Sequence, residues 1–344
     1  MPELRQDPLS GRWVIIATGR AKRPEAFAPA ARPAPSPEHD ATCCFCPGQE
    51  ATTPPEVLAY RAPGAAPDSP GWQVRVVPNK FAAFDGATDR QPAMLQGLEQ
   101  RRPAFGAAEV IVGTPRHDRT LALASDAELA QMIHAHQERY RELAARPGVA
   151  YVMLFRNQGA WAGASQRHPH SQIMALPVVP AAVATELDRA AAHHGMHGSC
   201  LMCQVIARER AHGARVLADD GRFVLFTPYA SRTPFELMIA PIGHQADLGH
   251  LSPEDEAGLG RQLGLAMRML DRALGDPPHN FYLHAAPCGA DDAGRWSESY
   301  HWHLSILPRL TTPAAFELGS GILINITVPE AAAAFLREYR TEPV

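Results

Sequence analysis

Metal-seeking side chains recur in pairs along this chain of 344 residues. Four of its six cysteines stand as C-x-x-C pairs, Cys43/Cys46 and Cys200/Cys203, and an H-x-H pair follows each of them, His168/His170 and His301/His303. Six cysteines in a chain this long do not make a disulfide framework, and in a reducing compartment C-x-x-C points to metal or redox chemistry. A redox reading of the first pair needs a helix starting at the motif, where "CCFCPGQE" has proline and glycine instead. A lone histidine completes each set: His117 after the turn in "TPRH" and His244 after the turn in "APIGH". The candidate ligands are then Cys43, Cys46, His117 and His168 for one site, and Cys200, Cys203, His244 and His301 for the other. Cys2His2 leaves no open position, which suits a closed tetrahedral zinc that stabilises a fold rather than activating water. Two zinc ions per chain are expected. Cys44 and Cys288 match nothing in the other set and read as ordinary thiols.

An isolated H-x-H is more often a chance pairing of histidines than a site, so the surroundings of "QRHPHSQIMALP" must decide. If this stretch is a strand, side chains at i, i+2 and i+4 share a face, and His168, His170 and Gln172 point together. With His168 committed to metal, His170 is left beside a rigid ligand. A neutral imidazole nitrogen is a competent nucleophile towards phosphorus, and Gln172 can donate to a phosphate oxygen without adding charge. The second copy keeps His303 but has Ser305 in place of the glutamine. One active centre is expected, in the first half of the chain.

The elements that must hold these residues are written twice. "EVIVGTPRH" (109–117) and "ELMIAPIGH" (236–244) are each an acid, an apolar run that reads as a strand, a proline-containing turn and a histidine. Beyond each histidine stands a helix cap, Ser125 with Glu128 or Ser252 with Pro253 and Asp255. Leu129, Met132, Ile133, Tyr140 and Leu143 then fall at helical spacing, as do Leu259, Leu263, Ala266, Met269 and Leu270. A strand and the H-x-H segment follow in both copies. The fold class expected is α+β: a tandem duplication of two units, each an antiparallel sheet with a covering helix. Residues 1–42 read as an N-terminal arm with a proline-rich connector, 43–190 as the first unit and 191–344 as the second.

A net charge of −4 leaves no basic surplus to neutralise a nucleic-acid backbone, so any phosphate must be met locally. "MPELRQDPLSGRW" has no apolar signal core, and no later apolar run approaches the roughly 18 residues that span a bilayer. The sequence is that expected of a cytoplasmic protein.

"DPLSGRWVIIATGRAKRP", "CCFCPGQE", "VVPNKFAAF", "TPRHDRTL", "LFRNQGAWAGASQRHPHSQ" and "HWHLSILPRL" together resemble the galactose-1-phosphate uridylyltransferase family, a tandem branch of the histidine triad superfamily. The resemblance implies two histidine-triad-like units related by a pseudo-twofold. It also implies His170 as the nucleophile that becomes covalently nucleotidylated, with Gln172 assisting at the phosphate. Asn157, Gly163 and Ser165 match positions that cradle the nucleotide phosphates, Arg20 and Arg23 a basic pair near the active site, and Asn79 and Phe81 positions near the nucleoside. The partners implied are a nucleotide sugar and a hexose 1-phosphate, and the resemblance is compatible with a homodimer. The activity implied is ping-pong transfer of UMP from UDP-glucose to a hexose 1-phosphate, as in galactose metabolism.

Two departures shape the expectation. The best-known bacterial members lack the second C-x-x-C and build a different metal site there from a carboxylate and histidines, which Glu186, His284, His301 and His303 would imitate. His301 thus has two claimants, and the thiol-containing set is favoured because thiolates bind zinc more tightly. Ser320 and Gly321 stand where the family has a tyrosine and a glutamate that help bind the hexose, and Lys80 where an aspartate is familiar. In these respects the chain is similar to a plant relative that handles ADP-glucose, so ADP-glucose phosphorylase or adenylyltransferase chemistry is the alternative. A catalytically silent, zinc-stabilised nucleotide-binding protein is a third reading.

Overall fold

Along "YVMLFRNQ", "SQIMAL" and "HNFYLH" fully buried side chains alternate with half-buried ones. Such segments form strands with one face in a core and the other partly open. The structure, a computed structural model, describes residues 1–17, 27, 36–84, 94–96, 98–101, 103–289, 292 and 294–340. In chain order its elements begin with β1 (Glu3–Gln6), β2 (Trp13–Ile16), β3 (Leu58–Arg61), β4 (Trp72–Pro78), β5 (Met94–Gln96), β6 (Glu99–Arg101) and β7 (Ala107–Val112). The helix α1 (Asp126–Ala144) leads to β8 (Tyr151–Gln158) and β9 (Ser171–Leu176), then α2 (Ala181–His197) and α3 (Leu201–His212). The second half runs β10 (Val216–Asp219), β11 (Phe223–Phe226), β12 (Leu237–Pro241), α4 (Pro253–Leu274), β13 (His279–His284) and β14 (His303–Pro308). It closes with α5 (Ala315–Ser320), β15 (Leu323–Asn325) and α6 (Pro329–Glu338).

Ten strands form one antiparallel sheet in the order β10-β11-β12-β14-β13-β8-β9-β7-β4-β3. Read from either edge the succession is the same, two strands, the strand before the long helix, the H-x-H strand, then the strand between them. The two units thus meet edge to edge where β8 pairs with β13, Asn157 opposite Asn280. The fold is the α+β tandem expected.

Both long helices start as their sequences require. Ser125 accepts from Glu128 N and Ser252 from Asp255 N, each in a reciprocal capping box, and Pro253 stands in the first turn of α4. The apolar positions read at helical spacing are all buried, in one core under the sheet. α1 and α4 cross closely because Gly260 has no side chain: a Cβ there would lie 3.1 Å from Ala130 N. The acid of each repeated segment pairs with an arginine. Glu109 accepts two bonds from Arg139, at 2.7 and 2.8 Å, and Glu236 accepts from Arg232 Nε at 2.9 Å. The N-terminal arm pairs with the far end of the chain: β1 and β2 form a hairpin, β2 runs parallel to β15, and Arg5 meets Glu330 at 2.9 Å. No helix among the described residues is long and apolar enough to cross a membrane.

The strand expected to carry His168, His170 and Gln172 begins only at Ser171. Pro169 has no N–H to give a ladder, and the β7 partner ends its register at Ile111 opposite Ser171. The two histidines lie in the segment that enters β9.

Behind the sheet, burial sets an acid limit on stability. His136 on α1 is pushed down to about 3 and His279 on β13 to about 4, by desolvation first and then by the charge of the fully buried Arg156. An unfolded chain protonates both near their ordinary value of 6.5, whereas the folded chain does so only well below it. Stability should therefore fall as pH drops below 6.5, by about 1.4 kcal/mol per pH unit for each group. Replacing His136 with Met is expected to flatten that acid limb in denaturant titrations; an unchanged slope would contradict the assignment.

Candidate active site and metal centres

The segment 41–48, the turn after β7 and the entry to β9 bring Cys43, Cys46, His117 and His168 together, with ligand atoms within 4.8 Å of one another and all four residues buried. Cys46 Sγ lies 3.6 Å from His117 Nδ1 and 3.5 Å from His168 Nδ1, and Cys43 Sγ 3.8 Å from the latter. His168 Nε2 donates to Thr114 O at 2.9 Å, which fixes the tautomer and leaves the Nδ1 lone pair facing the thiols. Burial holds His168 at about 4, neutral and able to ligate. The same burial raises both thiols, Cys46 to about 11, so their ionisation calls for a cation among them.

Cys200, Cys203, His244 and His301 repeat the arrangement, again with ligand atoms within 4.8 Å of one another. In each cluster the two imidazole centroids are 5.3 Å apart with their planes at 88°. Cys203 Sγ is 3.4 Å from Nδ1 of both His244 and His301. His301 Nε2 donates to Pro241 O at 3.0 Å and His244 Nε2 to Ser297 O at 2.8 Å. Thr114 and Pro241 both stand three residues ahead of the lone histidine, so the repeat held a signal for these carbonyls. The donor sets fit zinc in both places: two thiols and two Nδ1 atoms whose opposite nitrogens are, in three of the four imidazoles, held by backbone carbonyls. The clusters differ in exposure, since Cys203 is half-buried and His244 exposed. They also differ in proton sharing: the hydrogen bond from Cys203, with His301 behind it, holds the Cys200 thiol far down, and Cys203 is raised in turn.

The set Glu186–His284–His301–His303 does not form as one. His301 faces the thiols, and Glu186, His284 and His303 make a separate buried group. Glu186 accepts from His284 Nδ1 at 3.0 and 3.1 Å and from Tyr300 Oη at 3.0 Å. Burial would raise this carboxyl, but His284, with His303 and Tyr300, holds it at about 2.

His170 is 6% exposed and packs on Phe45 with centroids 5.3 Å apart. Its Nδ1 donates to His168 O at 2.8 Å, and Nε2 makes no hydrogen bond to a described residue. The proton is thereby placed on Nδ1, leaving Nε2 with a lone pair, and burial lowers the ring's proton affinity further. His303 has no such tether, for its Nδ1 is buried without a hydrogen-bond partner. The face beside His303 and Ser305 is also covered. Asp7, Ser10 and Arg12 of the N-terminal arm line, with those two residues, a cavity of about 190 Å³.

Gln172 is half-buried on β9, opposite Phe155 of β8, and Asn157 lies two positions along β8 on the same face. Asn157 Oδ1 accepts from Asn280 Nδ2 at 2.8 Å, and that amide also donates to Ala162 O at 2.8 Å, pinning the loop that follows β8. Asn280 escaped the sequence reading because its partner is set by the β8–β13 junction between the units. In the loop, Gly163 takes φ 83°, where only glycine is at ease, and Ser165 is exposed. The N–H groups of Ala162, Gly163 and Ala164 close the turn onto the Gly159 and Ala160 carbonyls. Asn79 Oδ1 accepts from Phe81 N at 3.0 Å, a local turn that leaves the Phe81 ring 86% exposed, and no described contact joins either to His170. Arg20 and Arg23 lie outside the described residues.

Two α+β units of one design, each entering its inner strand through H-x-H beside a Cys2His2 cluster, define a tandem histidine-triad protein. The galactose-1-phosphate uridyl transferase N-terminal domain matches residues 1–180. The chain is 33% identical to the ADP-glucose phosphorylase of Arabidopsis thaliana over 338 residues, 98% of this chain and 93% of that protein. It is 30% identical to the galactose-1-phosphate uridylyltransferase of Haemophilus influenzae over 94% of this chain and 89% of that one. The crystal structure of the Arabidopsis thaliana ADP-glucose phosphorylase with bound ADP-glucose superposes with a TM-score of 0.80 at 31% identity, covering 98% of both chains. The chain belongs to the galactose-1-phosphate uridylyltransferase family.

Proposed function

We propose that this protein is a nucleotidyltransferase that moves a nucleoside monophosphate from a sugar nucleotide to a phosphate acceptor through a covalent bond to His170 Nε2. The contrast between the two H-x-H motifs carries the reading. His170 is tautomerically fixed by the His168 carbonyl, whereas His303 has an unpartnered Nδ1. In the first step Nε2 attacks the α-phosphorus and the bond to the sugar phosphate breaks, releasing sugar 1-phosphate. In the second, an acceptor phosphate oxygen attacks the same phosphorus and the phosphorus–nitrogen bond breaks. Gln172 and Asn157, on the same sheet face, are the polar groups to steady the transferred phosphate, with Ser165 in the loop beyond; the first unit, 43–190, thus carries the chemistry. Zinc at the two Cys2His2 clusters would hold the fold and keep the His168 carbonyl in place.

For the substrates, phosphorolysis of ADP-glucose is favoured over uridylyl transfer to a hexose 1-phosphate. Ser320, where the family carries a hexose-binding tyrosine, spends its hydroxyl on its own helix end: it donates to Phe316 O at 2.6 Å and accepts from Ile322 N at 3.1 Å. The similarity to the Arabidopsis ADP-glucose phosphorylase along nearly the whole chain supports the same choice. Initial rates should show parallel double-reciprocal lines with ADP-glucose and inorganic phosphate, and faster turnover than with UDP-glucose and galactose 1-phosphate. Faster turnover with the latter pair would return the uridylyltransferase reading, and no turnover with either would favour a silent nucleotide-binding protein.

Chelator should distinguish the clusters. With Cys203 half-buried and His244 exposed, EDTA is expected to remove the second metal before the first, whose four ligands are all buried. Metal content followed against time in the wild type tests the order, with Cys200→Ser, lacking the second metal, expected to show the slow loss alone; release from the first cluster ahead of the second would contradict it.

A further inference from the structure

We propose that His193 and His197 form a further metal site, a surface pair on α2 that takes up a borderline divalent transition-metal ion. The inward stripe of α2 is Val183, Glu186, Leu187 and Ala190, all buried. Continuing that stripe at helical spacing reaches His193, half-buried, and His197, exposed, one turn apart. Two histidines at i and i+4 on a helix present their ring nitrogens to a common point, a spacing that metal sites use. Here the ring centroids are 4.4 Å apart, and His193 Nε2 is closed from solvent with no hydrogen-bond partner.

The chain then leads directly to the cluster. Gly198, in the left-handed conformation, ends α2, and Cys200 follows as the N-cap of α3. Paired imidazoles suit zinc, copper and nickel ions. Binding at the pair does not rest on the second zinc site proposed above.

The test uses the purified protein with its resident metal, counted first. A count of one metal, read before any addition, is a failure of the second-cluster reading alone. Equilibrium dialysis against cobalt(II) should then load the wild type with one equivalent more than it loads His193→Gln/His197→Gln. Equal loading of the two proteins overturns the site.

Discussion

Replacing His170 with glycine is expected to abolish turnover between a sugar nucleotide and its phosphate acceptor, by about 10⁴-fold or more, while metal content stays at the wild-type value. The ring is not a ligand: it faces Phe45 and the His168 carbonyl, and its removal leaves Cys43, Cys46, His117 and His168 with every contact they have with one another. Only the bond-forming nitrogen is lost. The vacated space has the size of an imidazole, so the variant should accept a nucleoside phosphorimidazolide as a preformed donor and carry out the second half-reaction alone. His303→Gly is the control, because that ring lacks the tether on Nδ1 and lies beneath the N-terminal arm. It should keep the covalent adduct. Turnover retained in His170→Gly and lost in His303→Gly would put the centre in the other half of the chain.

Cys46→Ser is the second large effect. Cys46 Sγ lies within 3.6 Å of Nδ1 of both histidines of the first cluster, and it also accepts from Asp40 N at 3.3 Å. Serine offers a harder, shorter ligand, so the metal should be lost, and with it the tie between residues 43–46, the turn after β7 and the entry to β9. Stability should fall by about 3 kcal/mol or more, because binding free energy at a closed site is folding free energy. Activity should fall with it, since the carbonyl that orients His170 belongs to the ligand His168. Cys200→Ser should also lose one metal and lower the melting temperature, yet retain nucleotidylation of the protein. Metal analysis and calorimetry on the two variants check this, and full activity in Cys46→Ser would show that the first cluster does not position the nucleophile.

Much of this was legible because the chain repeats itself. The capping serines, the helical stripes and both Cys2His2 sets are local patterns, and seeing each twice removed the ambiguity that a single copy would have left. What the sequence could not show depends on pairings between distant segments. The strand carrying "HPHSQ" starts three residues later than alternation suggests, because a ladder needs an N–H where Pro169 has none and a neighbour where β7 has ended. The allegiance of His301 was open by residue type alone and is decided by the Pro241 carbonyl, which turns its Nδ1 towards Cys203. The N-terminal arm reads as a separate segment, yet β2 finds β15 three hundred residues away in parallel register, a contact with no local signature. Residue type alone did not show that the small-residue loop after β8 closes on itself, with three of its N–H groups bonded internally.

The most direct measurement is the intact mass of the protein after incubation with ADP-glucose, and separately with UDP-glucose, in the absence of any acceptor. A nucleotidyl-histidine at His170 predicts a single added nucleoside monophosphate per chain, AMP in greater yield than UMP, sensitive to acid, discharged by inorganic phosphate and absent from His170→Gly. An unmodified mass under conditions where the same sample turns over both substrates would mean direct transfer without a covalent intermediate, and would contradict the account.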